Sequence, residues 1–199
     1  METSTVKRTS LTELAQKAGI TTYSLVTRPV GRQFLPILET LLAGLPDSQA
    51  CVLEYSDVHM MDASFADEVF GALAVTRARR QSRGGCLILD GLESSNLDNL
   101  DMALKSRTVR ETGLRNCVLP VRNSQREVVL AGKFEAHVQQ SFELLVRHRQ
   151  LTARELADIL TLDIAAASTR LKVLFDLGLA TRIEERDGQV KQFVYIWPL

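Results

Sequence analysis

Three stretches decide the C-terminal fold: Leu151-Thr152-Ala153-Arg154-Glu155-Leu156-Ala157, then Ser168-Thr169-Arg170-Leu171-Lys172-Val173-Leu174, then Leu177-Gly178-Leu179-Ala180. Thr152 with Glu155 three residues on predicts a capping box, and Leu156, Ile159 and Leu160 supply the apolar face of a short helix. Asp163 opens another helix whose predicted core face is Ile164, Ala167, Leu171, Leu174 and Phe175, with Gly178 closing it. Just upstream, Phe134, Val138, Phe142, Leu145 and Val146 recur at helical spacing. Downstream, 179–184 and 190–197 read as strands joined through Asp187-Gly188, a hairpin signal. In the last strand Phe193, Tyr195 and Trp197 share one face, and one face of that strand is expected to cover the C-terminal core.

Before Gly132 the pattern alternates strand and helix, the signature of an α/β layer. Strands are predicted at 50–55, 86–90, 117–119 and 127–130, with a strand-like run at 23–26. The run 31–44 carries Phe34, Ile37, Leu38, Leu41 and Leu42 on one helical face, and Pro36 predicts a regular start near Leu35. A helix is predicted from Phe65 to Arg80, with Ser64 as cap and Asp67 three residues on. Ser94-Ser95-Asn96 can cap a further helix bearing Leu97, Leu100 and Leu104. The run 11–20 reads as a short helix stopped by Gly19, and 1–10 as a loose polar arm. The resulting division is an arm and short helix over 1–20, an α/β domain over 21–131, and a helical domain with a hairpin over 132–199.

The C-terminal stretches resemble the winged helix-turn-helix superfamily over roughly 65 residues. The segment Met61-Asp62-Ala63-Ser64-Phe65-Ala66-Asp67-Glu68-Val69-Phe70-Gly71 resembles the "SFADE" signature of STAS-like domains, the fold of anti-sigma-factor antagonists. That resemblance covers roughly 20–130 and is joined by the strand Val52-Leu53-Glu54-Tyr55 and by Gly31-Arg32. In the antagonists a Ser directly after the Asp of this turn is phosphorylated by an ATPase-type kinase; here Ala63 holds that place and Ser64 follows it. Together the resemblances imply a non-enzymatic bacterial transcriptional regulator that binds double-stranded DNA as a homodimer. The alternative is a partner-switching protein, working with a kinase or an anti-sigma-like factor, whose winged helix binds protein.

On that reading Ser168, Thr169, Arg170 and Lys172 of the recognition helix, with Arg186, Gln189 and Lys191 of the wing, face DNA. Asp163, Asp176, Glu184, Glu185 and Asp187 cancel those cations, so the surface has no net positive charge by count. Asp62, Ser64, Asp67, Glu68, Arg77 and Arg80 form the expected partner- or ligand-docking set. Carboxylates suit a helix N-terminus and arginines a helix C-terminus, so both groups also have a purely structural explanation. No histidine other than His59 lies near Ser64 in sequence, which argues against a nucleophilic site. Ser64 is expected to be structural, because Asp62, Asp67 and Glu68 would repel a phosphate placed on it.

Of the 199 residues 45% are hydrophobic and 24% charged, which excludes extensive disorder. The 24 Lys/Arg balance 24 Asp/Glu, yet 77–126 holds 10 basic against 5 acidic residues. Only that middle segment has the basic excess that phosphate binding favours. Cys51, Cys86 and Cys117 are odd in number and widely spaced, which points to buried thiols rather than a disulfide framework. The three histidines are scattered, and no metal motif, Walker loop or dinucleotide fingerprint occurs. No apolar run is long enough to span a bilayer, and the polar start lacks an apolar signal core, so a cytoplasmic protein without metal or cofactor is expected.

Overall fold

The computed structural model describes residues 5–20, 24–55, 58–79, 85–187 and 190–199. In chain order it opens with β1 (Thr5–Ser10), α1 (Leu11–Lys17), β2 (Ser24–Leu25), α2 (Arg28–Ala43), β3 (Gln49–Glu54) and β4 (Met60–Met61). Next come α3 (Ala63–Ala66), a π-helical turn (Asp67–Gly71), α4 (Ala72–Ala78), β5 (Cys86–Leu92), α5 (Ser94–Arg110), β6 (Cys117–Asn123) and β7 (Val128–Lys133). The chain ends with α6 (Ala136–His148), β8 (Gln150–Thr152), α7 (Ala153–Leu160), α8 (Ile164–Asp176), β9 (Thr181–Asp187) and β10 (Val190–Ile196). The class is α/β with a mixed sheet: order β1-β3-β5-β6-β7, all pairs parallel except β6–β7. A second sheet, β8-β10-β9, is antiparallel.

Both faces of the central strands β3, β5 and β6 are covered, which explains their apolar runs. Cys51 and Leu53, Leu87 and Leu89, and Leu119 and Val121 face a core built with Leu14, Phe34, Leu38, Phe65, Phe70 and Leu100. Ala50 and Val52, Cys86 and Ile88, and Val118 face the opposite way. There they pack with Val138, Phe142, Leu145, Leu171, Leu174 and Trp197 of the C-terminal elements. The two halves of the chain therefore share a core. Detaching the C-terminal elements would expose Val52 and Ile88, at roughly 1.5–3 kcal/mol for each large side chain. Tyr195 and Trp197 join this core, Trp197 edge-on to Phe142 at 5.2 Å, while Phe193 stays 43% exposed.

Several local expectations are corrected. The arm is not loose over 5–10: it is an edge strand paired with β3, and Ser10 Oγ accepts from Thr12 N to cap α1. Helix α2 starts at Arg28 because Pro29 occupies its first turn, and Pro36 is accommodated inside it. Glu93 rather than Ser94 is the N-cap of α5, and no side chain caps it. The boundary expected at 131/132 falls within β7. Gly132 (φ +108) stands there because a Cβ would lie 2.1 Å from the Cys117 carbonyl oxygen and 2.9 Å from Leu104 Cβ. The strand β8 escaped the periodicity, being only three residues long. Ile164, expected in the core, is 54% exposed at the first turn of α8. The three cysteines are free and buried, and burial pushes Cys51 to about 11 and Cys86 and Cys117 to about 12. Among the described residues no helix is long and apolar enough to cross a membrane.

Candidate functional site

Helix α8 is held at both ends by its own sequence. Asp163 Oδ1 accepts from Ala166 N at 2.8 Å, and Gly178 (φ +72) reverses the chain after it. Ala167, Leu171 and Leu174 are fully buried, which turns Ser168, Thr169 and Lys172 to solvent and leaves Arg170 half-buried. The preceding helix α7 begins with the expected capping box: Glu155 N donates to Thr152 Oγ1, and Thr152 N to Glu155 Oε2. Three cations of this surface are engaged within the chain. Lys172 Nζ lies 2.6 Å from Asp176 Oδ2, Lys191 Nζ 2.8 Å from Glu184 Oε1, and Arg170 Nη1 donates to Gln140 Oε1 at 2.9 Å. Arg186 is exposed; Gln189 lies outside the described residues.

The turn at 62–68 is assembled differently from its sequence reading. Asp62, not Ser64, is the cap, its Oδ1 accepting from Phe65 N at 2.7 Å. Ser64 follows in the first turn of α3. Asp67 is no capping-box partner: it sits in the π turn, 3% exposed, where Arg107 Nε donates to Oδ1 at 2.6 Å and Arg110 Nη2 at 2.5 Å. Arg28 Nη2 reaches Oδ2 at 3.0 Å, and Arg107 Nη2 also donates to the Asp67 carbonyl. Burial alone would raise the pKa of Asp67. The hydrogen bonds from Arg110 and Arg107, with their charges, outweigh that and hold it below the usual carboxylate value. Glu68 pairs with Arg32 at 3.2 Å and Arg28 at 3.5 Å.

These pairings neutralise Asp67 and Glu68, two of the three carboxylates expected to repel a phosphate on Ser64; the third, Asp62, accepts from the backbone amides of Phe65 and Thr27. Ser64 lines an open hollow of about 370 Å³ with Arg28, Asp67, Ser106 and Arg110. The arginines of this cluster were only partly legible. Arg107 and Arg110, at i and i+3, share a helix face, but nothing local names their partner 40 and 43 residues earlier.

One further residue of the expected docking set, Arg77, does not lie on that surface. Arg77 is 2% exposed, with its guanidinium under the chain reversal at Gly178 and its Nη2 donating to Gly85 O at 2.7 Å. Arg80 lies outside the described residues. A separate polar network closes the C-terminal end of the parallel strands: Arg122 grips Asp90 with two bonds of 2.6 and 2.5 Å, and Arg8 reaches Glu54 and Asp90. Among the described residues no group of three or more His, Cys, Asp or Glu is placed to hold a metal ion.

A scan of the chain against protein-family models and searches of the curated proteins and the solved structures found no match.

Proposed function

We propose that this chain is a non-enzymatic transcriptional regulator. Its C-terminal elements act as a winged helix that binds double-stranded DNA, modulated by docking on a STAS-like N-terminal half. The observation that carries the reading is the outward face of α8. Small polar Ser168 and Thr169 stand exposed beside Lys172 on a helix capped at both ends and followed by a β-hairpin. Small residues let a helix approach a groove, and hydroxyls suit phosphate and base-edge contacts. The ion pairs of Lys172 and Lys191 are exposed and therefore weak, so a phosphate can displace them. One surface without net positive charge binds DNA poorly, so the working form in this proposal is a homodimer on two half-sites, in the cytoplasm.

The test is fluorescence anisotropy with fragmented genomic DNA across a salt series. The intact protein binds with salt-dependent affinity, and Lys172→Ala weakens binding and flattens the salt slope by about one. Light scattering in the micromolar range gives the dimer mass. A protein that shows no salt-sensitive DNA binding would sink this reading.

One observation favours a second reading. Ile159 and Ile164, 42% and 54% exposed, put apolar surface on α7 and at the start of α8. That suits a protein contact better than a phosphate backbone, as in a partner-switching protein of the anti-sigma-antagonist type.

A further inference from the structure

We propose that the cleft between the two halves of the chain is a binding site for a small anion bearing phosphate or carboxylate groups. The positive charge of Arg77 is the element that selects it. The cleft, about 320 Å³, opens between the end of α4, the 112–116 loop, the start of α6 and the end of α8. Arg77 lines it together with Arg79, Arg115, Asn116 and His137.

Arg77 is 2% exposed, and its Nε and Nη1 have no hydrogen-bond partner; Nη2 alone is used, on the Gly85 carbonyl. Among the described residues it forms no ion pair. Burying an unpaired charge is strongly unfavourable, and a buried guanidinium cannot shed its proton to escape. The remaining charges of the wall have partners. Arg79 pairs with Glu111 at 2.6 Å, Asp176 with Lys172 at 2.6 Å, and Glu135 with Arg115 at 3.7 Å. Among the described residues Arg77 is the cation of the cleft left without a counter-charge, so an anion entering there gains what no described side chain of the wall supplies.

Geometry limits the ligand. The volume is at the small end of the range for small-molecule sites, which fits a metabolite-sized anion and not a chain segment. The two unpartnered nitrogens are closed to solvent, so the ligand meets Arg77 through a turn of that side chain, or through its field across the low-dielectric wall. Arg115, 80% exposed, and Asn116 are placed to receive the outer end. Because Arg77 of α4 lies under Gly178 at the end of α8, an anion there would tie the two halves together. This inference does not depend on what α8 binds.

The experiment measures the melting temperature and the calorimetric binding isotherm of the full chain with inorganic phosphate or citrate, at constant ionic strength with chloride as control. At least one of the two probes is expected to raise the melting temperature saturably at low-millimolar concentration or below, and which probe acts identifies the chemical group. Arg77→Met and Arg115→Ala should each weaken that binding about tenfold or more. Arg115→Ala, at an exposed position, keeps the test decisive should Arg77→Met fail to fold. No saturable binding of either probe beyond the chloride control up to about 10 mM would overturn the proposal. So would equal affinity in wild type and the folded variants.

Discussion

Arg182 and Asp47 join the two halves twice over: Arg182 Nη2 lies 2.8 Å from Asp47 Oδ2, and the Arg182 amide donates to the Asp47 carbonyl at 3.0 Å. The same guanidinium stands 4.0 Å from the Phe175 ring centroid and 4.6 Å from that of Phe193. It thus ties β9 to the turn before β3 and is clasped by α8 and β10.

The aromatic clasp should outweigh the ion pair, because the Asp47 side chain is 51% exposed and that of Arg182 only 22%. Asp47→Ala is expected to cost about 0.2–1 kcal/mol. Arg182→Ala also loses the two ring contacts and the packing of its stem, so about 1–2 kcal/mol is expected. Urea denaturation of both variants checks the order; equal losses would show that the rings contribute nothing.

Gly178 meets two demands at once. Its φ of +72 disfavours a side chain, and a Cβ would lie 2.1 Å from Arg77 Nη1. Gly178→Ala should cost more than about 1–2 kcal/mol, the strain of the left-handed conformation alone. Adding Arg77→Met removes the steric part, so the double variant should lose less than the sum of the singles. Strict additivity in a denaturation cycle would contradict the close approach.

At the 62–68 turn the cap has moved, and the stability ranking moves with it. Asp62→Ala removes the acceptor of Phe65 N and should cost about 0.5–2 kcal/mol. Ser64→Ala removes no cap and should stay within about 0.5 kcal/mol. A thermal melt in which Ser64→Ala is the more damaging change would restore Ser64 as the cap.

Asp67 makes acid stability a readout of the arginine cluster. Its pKa in the folded chain is lower than in the unfolded chain, so its contribution is complete above the unfolded value, about 3.9, and is lost as pH falls through the folded value. Asp90, for which burial is likewise outweighed by Arg122, acts in the same sense. Wild type should therefore lose stability steeply below about pH 4. Asp67→Asn should be less stable at neutral pH and show a shallower acid decline, followed by denaturant midpoints from pH 7 to acid. Parallel curves for the two proteins would remove Asp67 from the acid response.

What the sequence by itself determined is local. The Thr152–Glu155 box, the Asp163 cap, the Gly178 stop and the apolar spacing of α6 each depend on groups within a few residues of one another, so a linear pattern carries them. The alternation of strand and helix over 50–130 likewise announced an α/β layer. Tertiary structure alone decided that residues 5–10 add an edge strand, because a polar segment pairs through its backbone whatever its side chains. It alone decided that alternate residues of β3, β5 and β6 serve two cores, and that Asp67 gathers arginines 40 and 43 residues away. Arg77 is the clearest case. At a helix end a guanidinium reads as solvated, and only the packing of the C-terminal elements onto the other face of the sheet takes it out of water. Charge placement of this kind depends on which surfaces meet, and that is set by the sum of many small packing terms, not by neighbours in the chain.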